Sequence, residues 1–87
     1  MKIIKIGAMW CPGCLVMQKV WREITKNNSI TIEELDYDVD SNEVSKYNVG
    51  QILPVIIFLD NENRELTRLI GEQTATMIQK TINEYRS

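Results

Sequence analysis

Cys11 and Cys14 are the side chains of this sequence best suited to covalent chemistry, and two residues separate them in Trp10-Cys11-Pro12-Gly13-Cys14. A thiol pair at this spacing can exchange disulfides: one sulfur attacks, a mixed disulfide forms, and the other sulfur resolves it. The spacing constrains the backbone. Residues three apart in a regular helix hold their Cβ atoms about 5–6 Å apart, whereas a disulfide wants roughly 3.8 Å. The pair can therefore bridge only if Cys11 lies at or just before a helix start, on non-helical backbone. Pro12 agrees with this, because the first helical position has no use for an N–H. Cys11 then sits beside unpaired backbone N–H groups and the positive end of the helix dipole, which favour a thiolate, and is expected to attack. Cys14, one turn further in, is expected to be the more buried, less acidic sulfur that resolves. Two other readings of the pair stay open at this point. A purely structural bridge over so short a loop stabilises by only about 2 kcal/mol. A soft copper(I) site is the other, since Met9-x-Cys11-x-x-Cys14 reads as M-x-C-x-x-C. Zinc wants four ligands, and the sequence offers two cysteines and no histidine.

The elements around the pair must deliver it to such a turn. Lys2-Ile3-Ile4-Lys5-Ile6 is a short β-branched strand, which Gly7 and Ala8 end while leaving room near the cysteines. A helix is predicted from about Pro12 to Asn27, because Met17, Val20, Trp21 and Ile24 recur at helical spacing. A second strand is predicted within Ile30 to Asp40, where Leu35, Tyr37 and Val39 alternate with acidic residues. Asp40-Ser41-Asn42-Glu43 then reads as a capping box that opens a short helix to about Tyr47. Pro54 should begin a strand of apolar residues through Leu59, since it cannot donate within a ladder. Asp60-Asn61-Glu62-Asn63 is a turn by composition, Arg64 to Ile70 returns as a hairpin, and Gly71 closes it. Thr74 caps a last helix with Ile78, Ile82 and Tyr85 on one stripe.

Composition bounds the rest. Eighty-seven residues suffice for one small domain, 1–87. The net charge of −2 gives no electrostatic case for nucleic acid or an anionic membrane surface. No apolar run approaches the ~20 residues of a membrane span. Lys5 interrupts the first apolar segment too early for a signal peptide, and two cysteines suit a reducing, cytoplasmic setting.

Taken together, Trp10-Cys11-x-x-Cys14 after the first strand, Asp40, Tyr47-x-Val49, Ile52-Leu53-Pro54 forty residues beyond Cys14, and Gly71 resemble the thioredoxins and their small thioredoxin-like and glutaredoxin-like relatives. The resemblance covers nearly the whole chain. It implies an α/β thioredoxin fold in a minimal βαβαββα form, a central mixed four-stranded sheet with helices on both faces. It implies a protein-disulfide oxidoreductase that uses Cys11 and Cys14 with no cofactor and no metal. Partners would be protein disulfides and a thioredoxin-reductase-like or other dithiol reductant, and the chain would act as a monomer. A non-catalytic C-x-x-C module for copper(I) or a partner chain is the alternative function. In the family the proline is cis and faces the cysteines, so Leu53–Pro54 is expected to be cis. The Leu53 backbone would take up an extended substrate segment, with Trp10, Pro12, Gly13 and Pro54 around it.

Departures from the pattern are informative as well. The extra N-terminal strand and helix of longer thioredoxins are missing, and so is the stretch by which glutaredoxins help hold glutathione. Pro12-Gly13 reverses the commonest thioredoxin order, and one extra residue stands between Val49 and Pro54. Six residues before the first cysteine, where thioredoxins carry a buried aspartate, stands Lys5. Counted back from Asp40, the position of the lysine that faces it is Asp36. The two charges look exchanged between strands, which suggests a Lys5–Asp36 pair below the cysteines, with Asp36 accepting the Cys14 proton.

Overall fold

Val55 to Leu59 are five consecutive apolar residues, and all five are buried. A strand that is apolar at every position has two faces to cover and belongs inside a sheet. The computed structural model describes residues 1–86; Ser87, the last residue of the expected domain, lies outside the described residues. In it the chain runs through β1 (Lys2–Gly7), α1 (Pro12–Val16), α2 (Gln18–Asn27), β2 (Thr31–Asp36), α3 (Ser41–Val44) with a 3-10 turn (Ser45–Tyr47), β3 (Val55–Leu59), β4 (Glu65–Ile70) and α4 (Ala75–Tyr85). The sheet order is β2-β1-β3-β4, with β1 and β2 parallel and the other two pairs antiparallel. This is the mixed four-stranded sheet of the thioredoxin fold.

Alternation along the inner strands divides the core in two. Ile3, Ile56 and Phe58 meet Met17, Trp21 and Ile24 beneath α1 and α2, and Ile78 and Ile82 of α4 on the same face. Ile4, Ile6, Val55, Ile57 and Leu59 meet Leu35 and Val44 of α3 on the other. Each fully buried side chain of this size contributes about 1.5–3 kcal/mol by leaving water. Along β1, the residues facing α1 and α2 are Ile3 in the core, Lys5, and Gly7 at the end nearest the cysteines.

Local chemistry moves several expected boundaries. The predicted helix from Pro12 to Asn27 is two helices, because Met17 has ψ of −1° rather than a helical value near −42°. Met17 still carries the chain through, with its N–H on the Gly13 carbonyl and its carbonyl on Trp21 N–H. The second strand stops at Asp36, four residues short of Asp40. Asp36 Oδ1 accepts the N–H groups of Asp38 and Val39, while Asp40 Oδ2 accepts Asp36 N–H. These bonds close a turn, as aspartate side chains often do. The turn leaves Val39 80% exposed instead of in a strand. The capping box does not form either: Asp40 precedes α3 but makes no side-chain cap bond, its carboxylate being committed to Asp36. Thr74 does cap α4, accepting Met77 N–H at 3.1 Å, while Tyr85 at the far end of the expected stripe is exposed.

Candidate active site

The turn after β1 brings Cys11 to the start of α1 on extended backbone (φ −94°, ψ 108°), with Pro12 as first helical residue. Its sulfur accepts the Cys14 N–H at 3.3 Å and so caps the helix itself. Both cysteines are free thiols. Burial pushes the Cys14 thiol up to about 11; its own hydrogen bond to Cys11 and the negative charges of Cys11 and Glu34 push the same way, against a hydrogen bond from Ala8 N–H. Cys14 thus gives up its proton reluctantly, as its place one turn into the helix implied.

Exposure runs against expectation. Cys11 is only 4% exposed, and Cys14 is the more open residue. A Cβ on Gly7 would stand 2.9 Å from Cys14 Sγ, so the sulfur occupies the room that a side chain would fill. Beyond it lies a cleft of about 220 Å³, walled by Cys14, Gly7, Gln18, Trp21, Lys5 and Glu34 among others; Cys11 is not part of the wall.

The charge pair below the cysteines exists, but its acid is not Asp36. In the parallel register Lys5 stands opposite Glu34, and Asp36 opposite Gly7. Lys5 Nζ lies 3.0 Å from Glu34 Oε2 and 5.1 Å from the centroid of the Trp21 ring. A count from Asp40 misses by two because the strand ends at Asp36, whose carboxylate closes the following turn. The signal that could have found Glu34 is the run Asp36-Tyr37-Asp38-Val39-Asp40, whose spaced aspartates suit a turn better than a strand. Asp36 does line the cleft. With the Lys5 side chain 24% and that of Glu34 73% exposed, the ion pair itself contributes little, about 0–1 kcal/mol. The lysine gains more from laying its stem and ammonium along Trp21.

The Leu53–Pro54 peptide bond is cis, the geometry the resemblance implies. A Cβ on Gly13 would lie 3.5 Å from Pro54 Cδ and 3.8 Å from Glu72 Cβ, so the helix start and the proline face each other closely. Pro54 C=O accepts the Gly71 N–H at 2.8 Å, which fixes this loop to the end of the hairpin. Among the described residues no backbone partner is found for Leu53, whose side chain packs toward the α3 side of the core. Trp10 stands 58% exposed beside the cysteines. Its Nε1–H donates to Asp38 Oδ2 at 2.6 Å, and its ring meets Tyr37 edge-on at 6.2 Å. Asp38 was not singled out from sequence, although it belongs to the same acidic turn. Met9 and Ile52 are exposed apolar side chains as well.

Comparison with known proteins agrees with this geometry. The family model described as Thioredoxin matches residues 1–84. Among solved structures, thioredoxin 1 from Thermosipho africanus is 28% identical over 98% of this chain and 93% of its own, with a TM-score of 0.84. Thioredoxin from Trypanosoma brucei brucei is 24% identical over 95% of this chain and 72% of its own, again with a TM-score of 0.84. A complex of ferredoxin:thioredoxin reductase with thioredoxin f2 matches with 17% identity, 98% and 76% coverage, and a TM-score of 0.82. No curated protein sequence matches. The β1–α1 turn that carries the two free thiols, the cis proline that faces it and the matched family model lead to one assignment: the chain belongs to the thioredoxin family, whose members are thiol–disulfide oxidoreductases.

Proposed function

We propose that this chain exchanges disulfides with protein partners through Cys11 and Cys14. Cys11 thiolate attacks one sulfur of a partner disulfide, forming a mixed disulfide and releasing the partner's other sulfur as a thiolate. Cys14 then gives up its proton and attacks Cys11 Sγ. The Cys11–Cys14 bond forms, the mixed bond breaks, and the partner leaves with both sulfurs reduced. The observation that carries this reading is the Cys11 sulfur held by Cys14 N–H at a helix start whose Gly13 closely faces Pro54, next to a Leu53 backbone with no partner among the described residues. An extended partner segment can add to the Leu53 backbone as a strand adds to a sheet edge. Trp10, Pro12, Gly13 and Pro54 form the walls that segment meets.

Resolution needs a base, because the Cys14 thiol sits at about 11. Glu34 is the carboxylate whose charge reaches Cys14, and Lys5 holds it in place. We assign it the proton-accepting part that the sequence alone suggested for Asp36. The cleft gives water a route between the two groups. A dithiol reductase is the partner that would return the protein to its reduced form; the complex of ferredoxin:thioredoxin reductase with thioredoxin f2 supports this class of partner. A reducing, cytoplasmic setting and action as a monomer complete the proposal.

Reduction of insulin disulfides, followed by turbidity in the presence of dithiothreitol, tests the activity. The Cys11→Ser variant should be inactive, and Cys14→Ser should accumulate mixed disulfides with its substrates. If Cys11→Ser accumulates them instead, the attacking and resolving roles are reversed. No turnover by the unaltered protein, with copper(I) bound tightly in a competition titration, would replace exchange by the binding-module function.

A further inference from the structure

The fold sets a carboxylate-bearing residue against the helix start that carries Cys11. A Cβ on Gly13 would lie 3.8 Å from Glu72 Cβ and 3.5 Å from Pro54 Cδ, so Glu72 and Pro54 flank the same point of the cysteine turn. The neighbouring Gly71 donates its N–H to the Pro54 carbonyl at 2.8 Å, which fixes where Glu72 stands relative to the proline. Glu72 is exposed, and among the described residues no ion pair includes it. Arg68, the cation closest to it in the sequence, is bound to Glu65 at 2.6 Å. The segments Met9 to Cys14, Ile52 to Pro54 and Gly71 offer apolar groups, thiols and backbone, and no cation. Asp38, whose Oδ2 accepts Trp10 Nε1–H, adds a second charge of the same sign. We infer that Glu72 is a specificity residue, which steers exchange towards protein disulfides whose attacked cysteine is flanked by lysine or arginine and away from acidic segments.

This inference rests on the exchange chemistry proposed above and adds no step to it. An extended segment on the Leu53 backbone rises about 3.3 Å per residue, so residues within two positions of the attacked cysteine lie within about 7 Å of it. That is inside the Debye length of about 8 Å at physiological ionic strength. A lysine at those positions meets the Glu72 carboxylate as the mixed disulfide forms. A glutamate there meets a like charge that no neighbouring cation offsets. An exposed pair of opposite charges shifts an equilibrium about twofold to fivefold, and a like pair opposes it by a similar factor. Between basic and acidic segments the two effects multiply to about tenfold at low salt. Charges so exposed act mainly on the rate of encounter, which salt then screens.

The disulfide-linked dimers of two peptides, acetyl-Lys-Cys-Lys-amide and acetyl-Glu-Cys-Glu-amide, test this. Single-turnover rate constants for their reduction by the pre-reduced protein are measured at about 0.01 M and about 1 M ionic strength. The ratio of lysine-peptide to glutamate-peptide rates is compared among the unaltered protein, Glu72→Gln and Glu72→Lys, so that the peptides' own reactivities cancel. At low salt the ratio should fall about threefold in Glu72→Gln and about tenfold in Glu72→Lys, and most of both changes should vanish at high salt. A ratio that Glu72→Lys leaves unchanged, or one that changes equally at both ionic strengths, would overturn the specificity role. So would variants that slow both peptides by the same factor, since a merely structural effect does not distinguish the sign of a flanking charge. Failure of the unaltered, pre-reduced protein to reduce either peptide would instead overturn the exchange reading beneath it.

Discussion

Gly7→Ala adds one methyl group where the structure has none to spare. Its Cβ would stand 2.9 Å from Cys14 Sγ and 3.4 Å from Cys14 Cβ, whereas even carbon atoms prefer about 3.5–4.0 Å. The sulfur must give way by more than half an ångström in a well-packed corner, and overpacking of this kind costs about 1–3 kcal/mol. Alanine has a counterweight, because glycine within a strand is worse by about 0.5–1 kcal/mol, and Gly7 is not a glycine of positive φ. The net expectation is a loss of about 0.5–2 kcal/mol in urea unfolding of the reduced protein. The Cys14→Ala background provides the control. There the atom at 2.9 Å is gone, only the 3.4 Å contact remains, and the same Gly7→Ala change should now be neutral or stabilising by up to about 1 kcal/mol. The sign of the effect depends on the sulfur, so the coupling energy in the cycle should be about 1–2 kcal/mol. Displacement of Cys14 Sγ should also prolong the mixed disulfide, seen as slower release of partner in stopped flow. Additive effects in the two backgrounds would show that Gly7 does not seat the Cys14 sulfur.

Three further outcomes follow from the site. Lys5→Ala should destabilise by about 1–2 kcal/mol through lost packing and cation–π contact with Trp21, while Glu34→Ala should cost under about 1 kcal/mol; chemical denaturation giving the reverse order would contradict the placement of Lys5 on the indole. Glu34→Gln should nevertheless slow resolution of mixed disulfides, whereas Asp36→Asn should not, and equal slowing by both would remove the assignment of Glu34. The reduced protein should lose stability as pH rises from about 9 to about 11: the folded Cys14 pKa lies above the ordinary thiol value of 9.0, so its contribution is complete below pH 9 and disappears as the unfolded chain ionises first. Thermal scans across that range check the slope, which Cys14→Ala should flatten.

What was legible in the sequence, and what was not, separates along physical lines. The strand at Val55, the turn at Asp60 and the helix behind Thr74 rest on patterns that act within a few residues, and each appears where the pattern placed it. Pro12 and the thiol spacing likewise pointed to Cys11 at the cap. Register between β1 and β2 was harder, because it depends on where β2 ends, and alternation of Leu35, Tyr37 and Val39 argued for a longer strand. Competition decided the matter: Asp36 and Asp40 bind backbone N–H groups of the turn more locally than a ladder could. Two residues of strand were lost, and with them the identity of the acid that faces Lys5. The relative burial of the cysteines was not legible at all, since it depends on how the turn after β1 packs against the rest of the fold.

Gly7 and Lys5 lie two residues apart on the same side of β1, and their effects meet at Cys14. A side chain at Gly7 would press on Cys14 inside the cleft that Glu34 also lines, and so hinder the proton route proposed above. Without that route, a thiol held near 11 would have only the partner-facing side from which to lose its proton. With Gly7 in place, the sulfur is seated by packing yet reachable by water, and the carboxylate can stay at the mouth, mostly hydrated, rather than buried. A buried carboxylate would need a fully desolvated counter-charge, at a cost that often exceeds the Coulombic gain. Lys5 therefore need not neutralise a buried acid. It lies along Trp21, tethers Glu34 at 3.0 Å, and leaves that carboxylate wet enough to exchange protons with solvent. On the exchange chemistry proposed above, the exchange of charges between the two strands and the missing side chain at Gly7 would act together: Cys14 would lose its proton through the open cleft, to an acid that sits on the outer strand.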